Sequence, residues 1–347
     1  MISEAGAMQR AVALSKRGYP APNPHVGCVI VKDGAIVGEG YHNHAGGPHA
    51  EVAALRAAGP RAAGASVYVT MEPCNHHGRT PPCSEALLAA GVAKVSYAVS
   101  DPNPVAGGGA EALRAAGIAV SHGLLANEAE AANEMWLTAV RRRRPYVVAK
   151  AAASLDAKAA LPTGESKWIT GESARRRGHV LRAECGAVMV GRRTVLADEP
   201  LLTARIPRVP NQPTRIILDR NGQLSPDHRV FDNSAPSLRV VGPGAKHEGM
   251  LVPMKGDGFD LPALLDRLYG EGFTSILVEG GPTTLGAFFA AGLVDRLHLF
   301  VAPKVLGDGI DWVRGMHVAT LAQAPEFKLL QVRRHGPDLE LILSPRG

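Results

Sequence analysis

His49-Ala50-Glu51-Val52 and Glu72-Pro73-Cys74-Asn75-His76-His77-Gly78-Arg79-Thr80-Pro81-Pro82-Cys83 bring an imidazole, a carboxylate and two thiols together early in the chain. One imidazole and two thiolates can fill three corners of a tetrahedral zinc, and a fourth corner left to water separates a catalytic ion from a structural one. His49 and Glu51 stand two residues apart at an expected helix start, where both side chains can face one cavity. Cys74 is expected to end a strand and turn. Cys83 opens the next helix, where the positive dipole end lowers a thiol's pKa.

A glutamate that stays off the metal and moves protons completes the signature of a zinc deaminase acting on a nucleobase. The short form of that signature has two residues between its cysteines, whereas eight separate Cys74 from Cys83. His77 stands where the second cysteine of the short form falls, so it competes with Cys83 as third ligand. Cys28, inside an apolar strand, and Cys185, after a helix, lack this company and read as core residues.

Outward from these stretches, strands and helices alternate. An opening helix carries Ala5, Met8, Val12 and Ser15 on one side and ends near Gly18. Val26–Val31 and Ile36–Gly40 form a strand pair across the turn Asp33-Gly34. A helix starts near His49, and Val67–Thr70 is a buried strand. Then come a helix from Cys83 to Ala90, a strand from Lys94 to Val99, a glycine loop at 107–109 and a helix around Leu113. That order predicts a sheet layered between helices. A long polar helix from Asn127 to Arg143 runs into Pro145, which cannot continue it. The expected domains are therefore 1–145 and 146–347. In the second, strands are expected at Tyr146–Ala151, Ala187–Gly191, Thr214–Leu218, Ser275–Glu279 and Arg296–Val301, with helices near 172–184, 261–271 and 283–291. An antiparallel pair, Lys328–Arg334 and Leu339–Leu343, ends the chain.

At 347 residues two cores are the natural prior, and 46% hydrophobic with 20% charged residues excludes a disordered chain. No apolar run approaches the ~20 residues of a membrane span, and the N-terminus lacks the unbroken apolar core of a signal peptide. Four cysteines in so long a chain do not make a disulfide framework, which points to a cytoplasmic protein with thiols free for metal. The net charge of +6 admits phosphorylated ligands. Part of it sits in Arg141–Arg144 and Arg175–Arg177, runs that more often solvate helix ends than bind partners.

With Pro22-Asn23-Pro24, Val26-Gly27 and Asp101-Pro102-Asn103-Pro104 added, the N-terminal strings resemble the bifunctional riboflavin-biosynthesis deaminase/reductase family. The second half carries that family's reductase strings: Ala153-Ser154-Leu155-Asp156, Trp168-Ile169-Thr170, Thr194-Val195-Leu196-Ala197-Asp198 and Val278-Glu279-Gly280-Gly281-Pro282. The resemblance implies an α/β chain made of a cytidine-deaminase-like αβα layered domain and a dihydrofolate-reductase-like α/β domain. It implies a zinc-activated water that deaminates 2,5-diamino-6-ribosylamino-4(3H)-pyrimidinone 5′-phosphate. NADPH then reduces the ribosyl group of the resulting 5-amino-6-(5-phosphoribosylamino)uracil to ribityl. The longer cysteine spacing is the family's, so His49, Cys74 and Cys83 become the ligands of one Zn2+ per chain and Glu51 the proton carrier.

By the same resemblance, Asn23, His42, His76 and Arg79 hold the pyrimidine or its phosphoribosyl tail. Ser166, Arg182, Leu202, Arg205 and Glu279 hold the reductase substrate, with the two arginines on its phosphate. Lys150 is a candidate contact for the opening ribose. Ala152, Trp168, Thr194 and Asp198 flank NADPH, and Gly281, Pro282, Thr283, Thr284, Leu285, Gly286 and Ala287 cradle its phosphates at a helix N-terminus. Arg220 is placed to meet the 2′-phosphate. The glycine stretch is not G-x-G-x-x-G, which disfavours a standard dinucleotide fold. Three departures stand out: Ala157 where the family has glycine, Glu199 where it has aspartate, and a 105–109 loop one residue short. The partner expected is a phosphorylated pyrimidine small molecule, not a membrane or a nucleic acid, with a homo-oligomer by family analogy. The competing readings are a nucleic-acid-editing zinc deaminase, which would use aromatic stacking that this chain's 5% aromatic content scarcely offers, and a deaminase with an inactive reductase-like domain.

Overall fold

The computed structural model describes residues 1–77, 81–103 and 107–346. The chain divides into two compact units, Met1–Arg142 and Arg143–Gly347.

The first unit contains α1 (Glu4–Ser15), β1 (Gly27–Lys32), β2 (Ala35–Tyr41), α2 (Ala50–Ala58), β3 (Ser66–Met71), α3 (Cys83–Ala89), β4 (Lys94–Val99), α4 (Gly109–Ala115), β5 (Ala119–His122), α5 (Ala126–Ala132) and α6 (Glu134–Arg142). Its sheet runs β2-β1-β3-β4-β5, with β1 antiparallel to β2 and β3 and the last three strands parallel. The period-two alternation of a strand separates the two faces. Cys28, Ile30, Val67, Val69 and Val95 pack with Ala54 of α2, Leu87 of α3 and Leu113 of α4. Val29, Val31, Tyr68 and Ala98 pack with Met8 of α1, Ala129 of α5 and Trp136 of α6. The result is an αβα layered unit, as expected.

Glycine decides one close approach: a Cβ on Gly40 would lie 2.3 Å from the Ala50 carbonyl oxygen, so only glycine lets the start of α2 seat on β2. Asp33 and Gly34 take the positive φ values, 50° and 74°, of a tight hairpin turn.

Two expectations need correction. The buried face of α1 is Ala7, Met8, Ala11, Val12, Leu14 and Ser15, and Ala5 is exposed, because the apolar stripe starts a half-turn later. The single helix expected over Asn127–Arg143 is broken at Asn133. That side chain accepts from the His25 backbone N–H and donates to the His25 carbonyl, both at 2.7 Å, tying the break to the loop before β1.

The second unit contains β6 (Tyr146–Ser154), β7 (Lys158–Ala160), α7 (Glu172–Cys185), β8 (Ala187–Gly191), α8 (Arg192–Asp198), β9 (Thr214–Leu218), β10 (Ser237–Val241), β11 (Met250–Leu251), β12 (Met254–Lys255), β13 (Gly258–Phe259), α9 (Leu261–Gly270), β14 (Ser275–Gly280), α10 (Pro282–Ala290), β15 (Arg296–Ala302), β16 (Ile310–Asp311), β17 (Phe327–His335) and β18 (Asp338–Pro345). Nine strands form one sheet in the order β11-β10-β9-β8-β14-β6-β15-β18-β17. It is parallel as far as β15 and antiparallel through β18 and β17. Val147, Met189, Ile216 and Ile276 pack under Leu264 and Leu268 of α9 and Phe288 of α10. Val188, Val190 and Ile217 pack on the opposite face with Val195 of α8. Cys28 and Cys185 are both buried core thiols, Cys185 as the last residue of α7. Helix α8 and strands β5 and β10 escaped the sequence pattern because each is short and flanked by polar loops.

Candidate active sites

In the first unit, His49 is the N-cap of α2 and Cys83 the first residue of α3, so two helix starts converge where β3 ends. His49 Nδ1 lies 3.2 Å from Cys83 Sγ and 3.6 Å from Cys74 Sγ. All three donor atoms fall within 4.8 Å of one another. A tetrahedral zinc with Zn–N near 2.1 Å and Zn–S near 2.3 Å separates such donors by about 3.6 Å, so the set fits zinc in both spacing and chemistry. The Cys83 thiol donates to Cys74, which holds Cys74 near 4 against the effect of burial, with His49 adding to the lowering. Cys83 is pushed up as the partner that keeps the proton, an arrangement that supplies one thiolate in advance. His77 lies away from this cluster, exposed and paired with Glu85 at 3.1 Å. It is not part of the donor set.

Glu51 is 3% exposed on the first turn of α2, and burial pushes its carboxyl up to about 7 while His49 pulls the other way. His42 is buried too, which lowers its pKa; its Nδ1 faces the Pro48 carbonyl at 3.0 Å and its Nε2 faces Asn23 Nδ2 at 3.0 Å. The His42 ring meets that of His49 edge-on, with centroids 5.3 Å apart. His76 has a buried Nδ1 with no hydrogen-bond partner among the described residues. Arg79, and part of the shortened 105–109 loop, lie outside the described residues. Asp101, which sequence reasoning did not single out, is pushed up to about 6 by burial and by Glu72 and Cys74 nearby. Its motif was visible, but nothing in the motif announced its burial.

In the second unit, a cavity of about 1460 Å³ gathers most of the expected reductase residues. Lys150, Ser166, Arg182, Leu202, Arg205 and Glu279 line it, as do Ala152, Trp168, Thr194, Asp198 and Arg220. Gly281, Pro282, Thr283, Thr284, Leu285 and Ala287 line it at the start of α10. Gly286 does not: a Cβ there would lie 1.9 Å from the Arg314 carbonyl, so this glycine serves packing of α10, not the cradle.

Arg182 grips Glu279 through two bonds, Nε to Oε1 at 2.8 Å and Nη2 to Oε2 at 2.6 Å, and its Nη1 donates to the Thr203 carbonyl at 3.0 Å. Burial opposes the charge on Glu279, yet Arg182 and then Lys150 hold it at about 2. Lys150 lies within β6, not near its end, and burial lowers its pKa while Glu279 resists. The Arg175 guanidinium stacks 4.4 Å over Trp168. Arg220 donates to the Asp257 carbonyl at 2.7 Å. Cavity residues missed in the sequence include His179 and Arg192, whose buried Nε has no hydrogen-bond partner among the described residues and faces Asp219 Oδ1 at 3.9 Å. Helical spacing from Arg182 was the available signal for His179. Ala157, where a glycine was expected, sits after β6 at φ 63°, the left-handed region that glycine tolerates best.

Residues 1–99 match the cytidine and deoxycytidylate deaminase zinc-binding region, and residues 145–341 match the RibD C-terminal domain. The riboflavin biosynthesis protein RibD of Escherichia coli K12 is 46% identical, over 97% of this chain and 98% of that protein. RibD of Mycobacterium tuberculosis H37Rv is 43% identical over 99% and 98%. The Acinetobacter baumannii RibD structure (form 1) superposes with a TM-score of 0.88 at 40% identity, covering 99% of each chain. A Thermotoga maritima structure titled diaminohydroxyphosphoribosylaminopyrimidine deaminase/5-amino-6-(5-phosphoribosylamino)uracil reductase gives 0.85 at 37% identity, over 99% of this chain and 98% of that one. Both matched regions occur in one chain in the order of these relatives, which disfavours the nucleic-acid-editing reading and leaves the second unit a reductase. The chain belongs to the RibD family of bifunctional riboflavin-biosynthesis enzymes, a zinc-binding deaminase and a reductase in one polypeptide.

Proposed function

We propose that the first unit deaminates 2,5-diamino-6-ribosylamino-4(3H)-pyrimidinone 5′-phosphate, and that the second reduces the ribosyl group of the product with NADPH. We place the domain boundary at residue 145, the protein in the cytoplasm and its working form as a homo-oligomer. The observation that carries the deaminase reading is the buried Glu51 carboxyl beside a three-donor set that leaves a fourth tetrahedral corner open.

His49, Cys74 and Cys83 would hold zinc, which when bound makes a water nucleophilic near neutral pH. Glu51 takes one proton from the attacking water to the ring nitrogen, then carries the second, from the hydroxyl so formed, to the amino group, which leaves as ammonia. Its raised pKa suits both halves of that relay, because neither protonation state is far from reach. Asn23 and His42, linked to each other, hold one edge of the pyrimidine, with His76 and Arg79 on the remaining ring edge and the phosphoribosyl tail.

In the second unit the cavity would hold NADPH, which when bound would supply a hydride. Ala152, Trp168, Thr194, Asp198 and residues 281–285 and 287 would hold it, and Arg220 would meet its 2′-phosphate. Glu279 and Lys150 contact the sugar, with Ser166 and Leu202 positioning the base. Arg205 and the two N–H groups that Arg182 has left meet the phosphate.

The test is coupled turnover in one tube, following ammonia release and NADPH oxidation. Both signals should appear, and Glu51→Gln should abolish the ammonia together with the NADPH oxidation it feeds. Absence of both in a zinc-replete sample would overturn the substrate assignment.

A further inference from the structure

Arg175, His179 and Arg182 occupy one face of α7 and line the reductase cavity. The reactions proposed above give His179 no task. Its Nδ1 lies 3.1 Å from the Thr203 carbonyl oxygen and 3.3 Å from the Arg205 backbone nitrogen. In one tautomer Nδ1–H donates to Thr203; in the other Nδ1 accepts the Arg205 N–H. Either ties α7 to the 203–205 segment. Arg182 grips the same Thr203 carbonyl at 3.0 Å, and the Arg205 side chain donates to Thr203 Oγ1 at 3.3 Å.

The segment needs such anchors. Leu202, which leads into it, is buried at φ 54°, a left-handed conformation that strains a non-glycine residue and persists only where its surroundings impose it. Burial, then Arg182 and Arg205, lowers His179 to about 4, so the ring is neutral at working pH and adds no third positive charge between the two arginines.

We propose that His179 is a positioning residue of the reductase: its ring fixes the Arg205 backbone so that Arg205 and Arg182 face one anionic group of the substrate. The proposal rests on the reading of Arg205 as a phosphate contact. His179 does not touch the reacting atoms, so its loss acts on substrate affinity and leaves the chemistry in place.

The experiment compares reductase kcat and KM on the deaminated phosphorylated substrate for His179→Ala, His179→Asn, Arg205→Ala and the double variant His179→Ala/Arg205→Ala. NADPH affinity, read by cofactor fluorescence, reports that the unit is folded. Losing the ring's hydrogen bond to the segment, part-buried at Thr203 and exposed at Arg205, raises KM up to about tenfold with kcat within about twofold. Asn places a donor or acceptor where Nδ1 sits and restores KM to within about twofold of the parent. The double variant has the KM of Arg205→Ala alone, because His179 acts through that residue. If Arg205→Ala raises KM and His179→Ala does not, or the two effects multiply, the positioning role is overturned. If Arg205→Ala leaves KM unchanged, the phosphate reading fails first. Should His179→Ala lose NADPH binding through misfolding, His179→Asn decides: KM near the parent's supports the role, and a tenfold rise overturns it.

Discussion

Replacing Glu279 by Gln keeps the shape of its side chain and removes its charge, leaving Arg182 and Lys150 as buried cations without a counter-ion. The Glu279 side chain is only 8% exposed, so solvent screening discounts little. Its carboxyl titrates at about 2 in the folded chain, against an ordinary value of 4.5. At ~1.4 kcal/mol for each factor of ten, that difference amounts to about 3 kcal/mol of folding free energy. The folded value is depressed, so this stability is present above the unfolded value and is lost as pH falls from about 4.5 through about 2. Glu279→Gln should therefore destabilise the reductase unit by about 3 kcal/mol at pH 7, and the gap between variant and parent should shrink to well under half by pH 2.5. The assay is urea unfolding followed by tryptophan fluorescence. The chain has three tryptophans, and a Trp136→Phe background confines the signal to Trp168 and Trp312 in the second unit. Other depressed carboxylates, Glu340 among them, titrate in both proteins and cancel in the difference. Parallel stability curves for parent and variant from pH 7 to pH 2.5 would refute the claim that the Arg182–Glu279 pair is held by charge.

Cys83→Ala should reduce bound zinc, measured by atomic absorption, to a small fraction of the parent's one per chain, whereas His77→Ala should leave it intact. Glu51→Gln should retain zinc and lose ammonia release by at least 10²-fold, the scale of a positioned proton carrier. Stripping the metal with a chelator should stop ammonia release while NADPH oxidation on pre-deaminated substrate continues at the parent rate. Ala157→Gly removes a left-handed alanine, a relief of about 1–2 kcal/mol, offset by the ~0.5–1 kcal/mol of chain entropy that glycine adds. The net gain of about 0.5 kcal/mol should appear as a rise of about 1–2 °C in the calorimetric transition of the reductase unit.

The deaminase site was legible in the sequence because each of its chemical groups sits at the end of a local element. His49 and Cys83 start helices, and Cys74 follows a strand, so spacing along the chain tracks spacing in the fold. The αβα layering was equally readable from the alternating order of strands and helices, and the fold bears it out: Cys28 and Ile30 face one core, Val29 and Val31 the other. What failed depends on partners far away in the chain. Nothing near Asn133 signals that its side chain will leave the helix to clamp His25, 108 residues earlier. Likewise, nothing near Arg182 signals Glu279, 97 residues later, whose two oxygens engage much of the fork expected on a phosphate.

Arg215 carries the same point furthest. It stands inside β9, in a run whose neighbours Ile216 and Ile217 are wholly buried, and its own side chain is 0% exposed. A sequence pattern reads such an arginine as a strand residue facing solvent. In the fold its guanidinium donates to Ser237 Oγ at 2.9 Å, to Asp232 Oδ1 at 2.8 Å and to the Arg229 carbonyl at 3.1 Å. A buried cation is tolerated only when its donors are matched in this way. The 229–237 loop is thus shaped around Arg215 because the charge must be satisfied there. Arg229, on that loop, also lines the reductase cavity. Periodicity records which side of a strand is apolar; it does not record a polar core assembled from loop carbonyls, and on this side of the reductase cavity the wall is set by such a core.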